Sequence, residues 1–190
     1  MFYLCIYGSP RINGNTDILL DAISEGIKSQ PAKIQIEKVY VRDLKISPCR
    51  ECRSCDKTGI CIVKDDMQKL HDKICDADYV IIASPIFYYN VTAQLKTVID
   101  RSQCFWASKY LLKKQPVKSG IKGIFVSVCA SKPQHFFDCA KKTVKYYFDA
   151  YDIEYYRDFL VNKIDNYREI LNQKDILKQA FEFGKEMKKG

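Results

Sequence analysis

Met1-Phe2-Tyr3-Leu4-Cys5-Ile6-Tyr7-Gly8-Ser9-Pro10-Arg11-Ile12-Asn13-Gly14-Asn15-Thr16 opens the chain, and how it is read decides the fold. Met1 to Tyr7 is a short apolar run that stops at Gly8-Ser9-Pro10, a strong local break. Beyond it, Leu19, Ala22, Ile23 and Ile27 recur at helical spacing. The stretch predicts a strand that feeds a helix through a short polar loop. Ser9, Asn13, Asn15 and Thr16 give that loop short polar side chains, Gly14 lets backbone approach closely, and Arg11 adds a charged fork. Together with the free N–H groups of a helix start, this composition suits a phosphate. The same residues also describe an ordinary helix cap. No Walker lysine follows, and the glycines lack dinucleotide-fingerprint spacing, which disfavours ATP and conventional NAD sites.

The strand and helix pattern then repeats. Ile34, Ile36, Lys38 and Tyr40 mark a second strand, Asp66 to Cys75 a helix, and Tyr79 to Ala83 a continuously apolar strand buried on both faces. Val91, Leu95, Val98 and Ile99 have helical spacing, and Gly120 and Gly123 bracket the start of a strand ending near Val128. Phe137, Ala140, Val144, Tyr147 and Phe148 mark the next helix, Ile153 to Val161 a fifth strand, and Ile176, Leu177, Ala180, Phe181 and Met187 a closing helix. Such alternation predicts an α/β fold, a doubly wound five-stranded parallel sheet with helices on both faces and ligands at the carboxyl ends of the strands. At 190 residues and 47% hydrophobic content, one domain over residues 1–190 is expected.

Two further loops fall on the predicted ligand edge. Ser84-Pro85-Ile86-Phe87-Tyr88-Tyr89-Asn90 brings an aromatic cluster suited to a flat ligand, although core or subunit packing would use the same residues. Ser127 to Pro133, with Cys129 and Ser131, would close the same edge.

Between the second strand and its helix, Cys49, Cys52, Cys55 and Cys61 form a C-x2-C-x2-C-x5-C run in a loop over residues 47–63. Soft thiolates on two-residue gaps suit an iron–sulfur cluster. A zinc site normally separates two such knuckles with a longer spacer, which is missing, and redox-active or metal-free thiols remain a further reading. Arg50, Arg53, Lys57 and Lys64 would offset the charge of a thiolate-ligated cluster or simply solvate the loop. Cys5, Cys75, Cys104, Cys129 and Cys139 read mostly as packed thiols.

Nine cysteines, with no charged leader before the apolar start, predict a reducing, cytoplasmic setting, and no stretch has membrane-spanning length. The net charge of +8 is uneven: residues 1–104 carry 14 basic against 13 acidic side chains, residues 105–190 carry 17 against 10. Such a surface favours acidic partners, but without a dense basic stripe interleaved with aromatics it disfavours nucleic acid.

Gly8-Ser9-Pro10-Arg11-x-Asn13-Gly14-Asn15-Thr16, the four-cysteine run, Asp65-Asp66-Met67, Ser84 to Tyr88 and Gln94-Leu95-Lys96-x-x-Ile99-Asp100-Arg101 together resemble the flavodoxin-like NADPH-dependent FMN reductase superfamily, in its iron–sulfur flavoprotein branch. The resemblance is specific over residues 1–130 and looser beyond. It implies strand order 2-1-3-4-5. It implies an FMN phosphate held by Ser9, Arg11, Asn13, Gly14, Asn15 and Thr16, an isoalloxazine lined by Pro85, Ile86, Phe87, Tyr88 and Asn90, and an opposite side formed by Ser127, Cys129 and Ala130. Cys49, Cys52, Cys55 and Cys61 would hold a 4Fe-4S cluster.

The resemblance further implies an FMN-dependent oxidoreductase that exchanges electrons between flavin and cluster, with a ferredoxin-like protein or NAD(P)H as donor, and a homodimer or homotetramer. An NAD(P)H-dependent FMN or quinone reductase without a cluster is the first alternative, and a non-enzymatic electron carrier or zinc-holding interaction module the second. The cofactors carry the chemistry, so no side chain is needed as acid or base. His71 and His135 read as structural, Asp65-Asp66 as a helix start, and Asp100-Arg101 as a local ion pair or subunit contact.

Overall fold

Sheet order and register follow from burial on two faces. A computed structural model of the chain describes residues 1–114 and 118–187. Its strands are β1 (Phe2–Tyr7), β2 (Gln35–Tyr40), β3 (Tyr79–Pro85), β4 (Lys122–Val128) and β5 (Glu154–Val161), all parallel, in the order β2-β1-β3-β4-β5. Along β1 the side chains alternate between two cores: Leu4 and Ile6 face one, Tyr3, Cys5 and Tyr7 the other. This explains why the strand reads as a continuous apolar run.

Helices α1 (Asn15–Lys28), α2 (Ser54–Thr58), α3 (Met67–Asp76), α4 (Ala93–Arg101), α5 (Gln103–Trp106), α6 (Asp138–Ala150) and α7 (Lys174–Lys185) complete the layers. The core on one face takes Met67, Leu70 and Ile74 of α3, Leu95 and Val98 of α4, and Ala140, Val144 and Phe148 of α6. The other takes Leu19, Leu20, Ile23 and Ile27 of α1, with Ala180 and Phe183 of α7. Where α1 crosses α7, the backbones meet through two glycines. A Cβ on Gly26 would lie 1.9 Å from the Phe181 carbonyl oxygen, and one on Gly184 would lie 2.0 Å from that of Ile23.

The expected sheet order, strands, four crossover helices and closing helix are present, with boundaries displaced by a residue or two. Several short elements were not foreseen, among them α2 inside the cysteine loop, α5, and the π-turn Ala107–Leu111 that continues it. None of the described helices is long and apolar enough to cross a membrane.

Candidate functional site

Parallel pairing sets Tyr7 beside Ala83 and Ser84 beside Ser127, so the loops after β1, β3 and β4 leave one edge together. Buried hydroxyls join them. Thr92 Oγ1 donates to the Gly8 carbonyl oxygen at 2.5 Å, the Thr92 amide donates to Ser84 Oγ at 3.2 Å, and Ser127 Oγ donates to the Ser84 carbonyl oxygen at 2.7 Å. Thr92 also caps α4 by accepting from the Leu95 amide. Gly8 sits flush against β3, since a Cβ there would lie 2.9 Å from the Ala83 carbonyl oxygen.

In the first loop, the Arg11 amide donates to Ser9 Oγ, and the Asn13 amide donates to Asp17 Oδ2 from a left-handed backbone with φ of 52°. Gly14 occupies the N-cap of α1, and no side chain caps the helix. The helix N–H groups and the positive end of its dipole are thus left for an anion, with exposed Arg11 beside them. Asn15 is placed differently from the other polar residues. Its Nδ2 donates to the Asn166 carbonyl oxygen at 2.8 Å and its Oδ1 accepts from the Ile170 amide at 3.1 Å, so its side chain anchors α1 to a distant segment and only its backbone serves the loop.

The loop is held from behind by Arg42, which the sequence reading missed. From the short turn after β2, its guanidinium lies over the Tyr40 ring and donates to the carbonyl oxygens of Ser9 at 3.1 Å and Arg11 at 3.3 Å. It also pairs with Asp17 at 2.9 Å. Burial pushes the Asp17 carboxyl up more strongly than Arg42 and the Asn13 amide pull it down, and Asp17 Oδ1 is buried without a hydrogen-bond partner. Asp17 therefore absorbs the charge of Arg42, and among the described residues no ion pair engages Arg11.

The second loop turns sharply. Phe87 and Asn90 exchange two backbone hydrogen bonds of 2.8 and 3.0 Å across Tyr88 and Tyr89, whose φ values are 48° and 65°. Bulky side chains seldom hold such backbone. Tyr88 projects wholly into solvent, whereas Tyr89 stacks on Phe136 with ring centres 4.4 Å apart. The three aromatics do not share one surface. In the third loop Ser127 and Cys129 are buried and engaged: the Cys129 amide donates to Val161 and its carbonyl oxygen accepts from Ile164. Ala130 is exposed.

The cysteine loop lies elsewhere, beside α4 and α5. Its neck is closed by exchanges between Lys45 and Asp66 and by the Ser47 amide donating to Asp65 Oδ2 at 3.0 Å. Asp65 also accepts from the Met67 amide, while Gln68 Oε1 accepts from the Asp65 amide, a capping box that starts α3 as expected of this acidic pair. Burial alone would raise the Asp65 carboxyl, but bonds from Arg101 and the Ser47 and Met67 amides outweigh it and hold the carboxyl below its usual range.

Cys49 and Cys52 are exposed, Cys55 and Cys61 half-buried, and all four are free thiols lining one cavity of about 1020 Å³. Cys104, a packed thiol as expected, also lines it from its buried position. The Ser54 amide and hydroxyl lower the Cys52 thiol, whereas burial and then Asp56 raise that of Cys55. In kind and number these donors fit a four-thiolate cluster. Their positions do not form a closed shell: among the described residues no three His, Cys, Asp or Glu side chains are arranged to hold a metal ion.

Beneath this cavity His71 is buried, with Nδ1 2.6 Å from Tyr151 Oη and Nε2 3.7 Å from Cys104 Sγ. Burial, helped by the charge of Arg101, lowers its pKa to about 4, so the imidazole is neutral near pH 7. The hydroxyl beyond it, Ser102, ends the network on the Val98 carbonyl oxygen.

Sheet order, three-loop edge and uncapped first helix together define a flavodoxin-like protein. The chain belongs to the NADPH-dependent FMN reductase family, whose model matches residues 1–144. It is 43% identical over 96 residues to an iron-sulfur flavoprotein of Archaeoglobus fulgidus, covering 50% of this chain and 43% of that protein. To the iron-sulfur flavoprotein of Methanosarcina thermophila it is 31% identical over 110 residues, 58% of this chain and 56% of that one. The chain thus spans about half the length of the curated relatives it matches. In fold it is similar to the NAD(P)H:quinone oxidoreductase of Methanothermobacter marburgensis, with TM-score 0.73 and 13% identity over 100% of this chain and 98% of the other. It is also similar to an FMN-dependent NADH-azoreductase of Bacillus anthracis, with TM-score 0.71 and 14% identity over 98% and 97% of the two chains.

Proposed function

We propose that this protein is an FMN-dependent oxidoreductase that carries electrons between FMN at the three-loop edge and an iron–sulfur cluster in the cysteine loop. The observation that carries the flavin half is the convergence of the three loops on an uncapped helix start. Ser9, Asn13, Gly14 and Thr16, with the Asn15 amide and the Arg11 side chain, would hold the phosphate. Pro85, Ile86, Phe87, Tyr88 and Asn90 would flank the ring, with Ala130 opposite; Ser127 and Cys129 would act by shaping that loop. Flavin exchanges electron pairs with nicotinamide and single electrons with a cluster, which lets such a protein couple the two kinds of donor.

The protein's own residues contribute position and exclusion. Arg42 holds the first loop's carbonyls from behind, and the Thr92, Ser84 and Ser127 hydroxyls fix the three loops against each other, so the site is largely formed before ligand arrives. The wholly exposed Tyr88 is consistent with a ring surface completed by a second copy of the chain. NAD(P)H or an acidic ferredoxin-like protein would supply electrons, the latter favoured by the basic second half.

For the cluster half the support is donor chemistry together with the two iron-sulfur flavoproteins described above. A second reading, an NAD(P)H-dependent reductase without a cluster, is favoured by one observation: among the described residues no three of these donors are arranged to hold a metal ion. Anaerobic purification with flavin, iron, zinc and acid-labile sulfide measured per chain separates the readings. Flavin with iron and sulfide near four each supports the first, flavin with neither supports the second, and absence of flavin binding overturns both.

A further inference from the structure

Arg101 is the largest fully buried side chain among the described residues, 1% exposed, and a charge so placed is costly unless it is paired and hydrogen-bonded. Among the described residues its side chain bonds to the two ends of the cysteine loop and to Asp65 just beyond it. Nη1 donates to the Ser47 carbonyl oxygen at 2.7 Å and to Asp65 Oδ2 at 2.6 Å, while Nη2 donates to the Val63 carbonyl oxygen at 3.2 Å and to Asp65 Oδ1 at 3.1 Å. Ser47 stands before Cys49, and Val63 and Asp65 stand after Cys61. One guanidinium therefore ties the two ends of the loop to the last residue of α4, and Arg101 also lines the cavity that the four cysteines line.

We propose that Arg101 is the positioning residue of the cluster loop, closing its neck so that the four thiols are presented to one volume; this rests on the cluster reading above. A lysine cannot replace it. Only a planar fork reaches two carbonyls and both oxygens of a carboxylate at once. Arg101 Nε is buried without a hydrogen-bond partner. The same helix begins at Thr92, which is bonded to Gly8 in the phosphate loop, so α4, about 13 Å long, is the rigid spacer between the proposed flavin and cluster sites.

The test compares the full chain with Arg101→Lys and with Arg101→Met combined with Asp65→Asn. The double variant leaves no unpaired buried charge and keeps the test open should the lysine variant fail to fold. Trypsin cleavage at Arg50, Arg53 and Lys57 in iron-free protein reads loop closure, and iron and sulfide uptake on anaerobic reconstitution reads cluster affinity. The expected result is cleavage at least ~10-fold faster and cluster affinity ~10- to 100-fold weaker in both variants, with far-ultraviolet circular dichroism and FMN affinity as in the parent. Cleavage and iron uptake at parental levels in both variants would overturn the proposal. A parent that takes up no iron overturns the cluster reading alone, and the cleavage rates then still decide whether Arg101 closes the loop.

Discussion

Arg42 Nη1 stands 2.9 Å from Asp17 Oδ2, and the two side chains are only 13% and 3% exposed, so a nearly dry ion pair underlies the loop that follows β1. Removing one partner leaves the other's charge buried. Arg42→Ala should destabilise the fold by about 3 kcal/mol and weaken FMN binding at least ~10-fold. Adding Asp17→Asn should restore stability but not affinity, because the Ser9 and Arg11 carbonyls lose their donor either way. Urea unfolding and fluorescence titration with FMN measure the two effects. Equal FMN affinity in parent and Arg42→Ala would refute the placement of the phosphate.

Gly26 and Gly184 set the approach of α1 and α7. Alanine normally favours a helix over glycine by about 1 kcal/mol. Here a methyl at either position would meet main-chain atoms at about 2 Å, and backbone cannot rotate aside as a side chain can. Gly26→Ala and Gly184→Ala should each lower stability by about 1–3 kcal/mol net of the helix gain. Because each overpacks the same crossing, the double variant should cost less than the sum of the two. A rise in Tm for either single variant would contradict the described crossing.

Much of this fold was legible in sequence because burial on both faces writes itself as uninterrupted apolar runs such as Tyr79 to Ala83, while one-sided helices keep a 3.6-residue period. Gly26 and Gly184 were invisible, since close approach is a property of two segments far apart in the chain. Arg42 was equally unreadable: its role depends on β2 lying beside β1, which places the turn after Tyr40 behind Ser9 and Arg11. The polar residues of the first loop looked interchangeable, yet Asn15 is drawn away by Asn166 and Ile170, residues more than a hundred positions later. Asp65 was read as a helix start, which it is, whereas Arg101 was read as part of a local ion pair or a subunit contact and instead pairs with Asp65. Their joining across the base of the cysteine loop needed α3 and α4 to be packed on one face.

His71 predicts a pH dependence with a definite sign. Its folded pKa of about 4 lies below the ordinary 6.5, so the unfolded chain takes up the proton first. Stability from this group is complete above pH 6.5 and is lost as pH falls through the interval down to about 4. At about 1.36 kcal/mol per unit, the loss across that window is roughly 3 kcal/mol. Unfolding free energies measured between pH 7 and 4 should flatten by that amount in His71→Gln, which cannot ionise. An unchanged slope in the variant would show that the imidazole is not the group responsible.

Tyr88 and Tyr89 hold a two-residue turn that asparagine and glycine adopt far more readily. Left-handed backbone costs a bulky residue about 1 kcal/mol, and a fold retains such strain where the surrounding structure enforces it, often at a ligand site. Exchanging the pair for Tyr88→Asn with Tyr89→Gly should therefore raise the stability of flavin-free protein by about 1–2 kcal/mol. If the turn shapes the ring pocket, the same variant should bind FMN more weakly, since Tyr89 leaves its stack on Phe136 and the loop after β3 loses its brace against the segment after β4. Riboflavin, which lacks the phosphate, isolates the ring contribution: its affinity should fall by the same factor as that of FMN. Arg42→Ala, acting on the phosphate loop, should instead weaken FMN more than riboflavin. Loss of FMN affinity in the turn variant with riboflavin affinity unchanged would place the ring away from this turn.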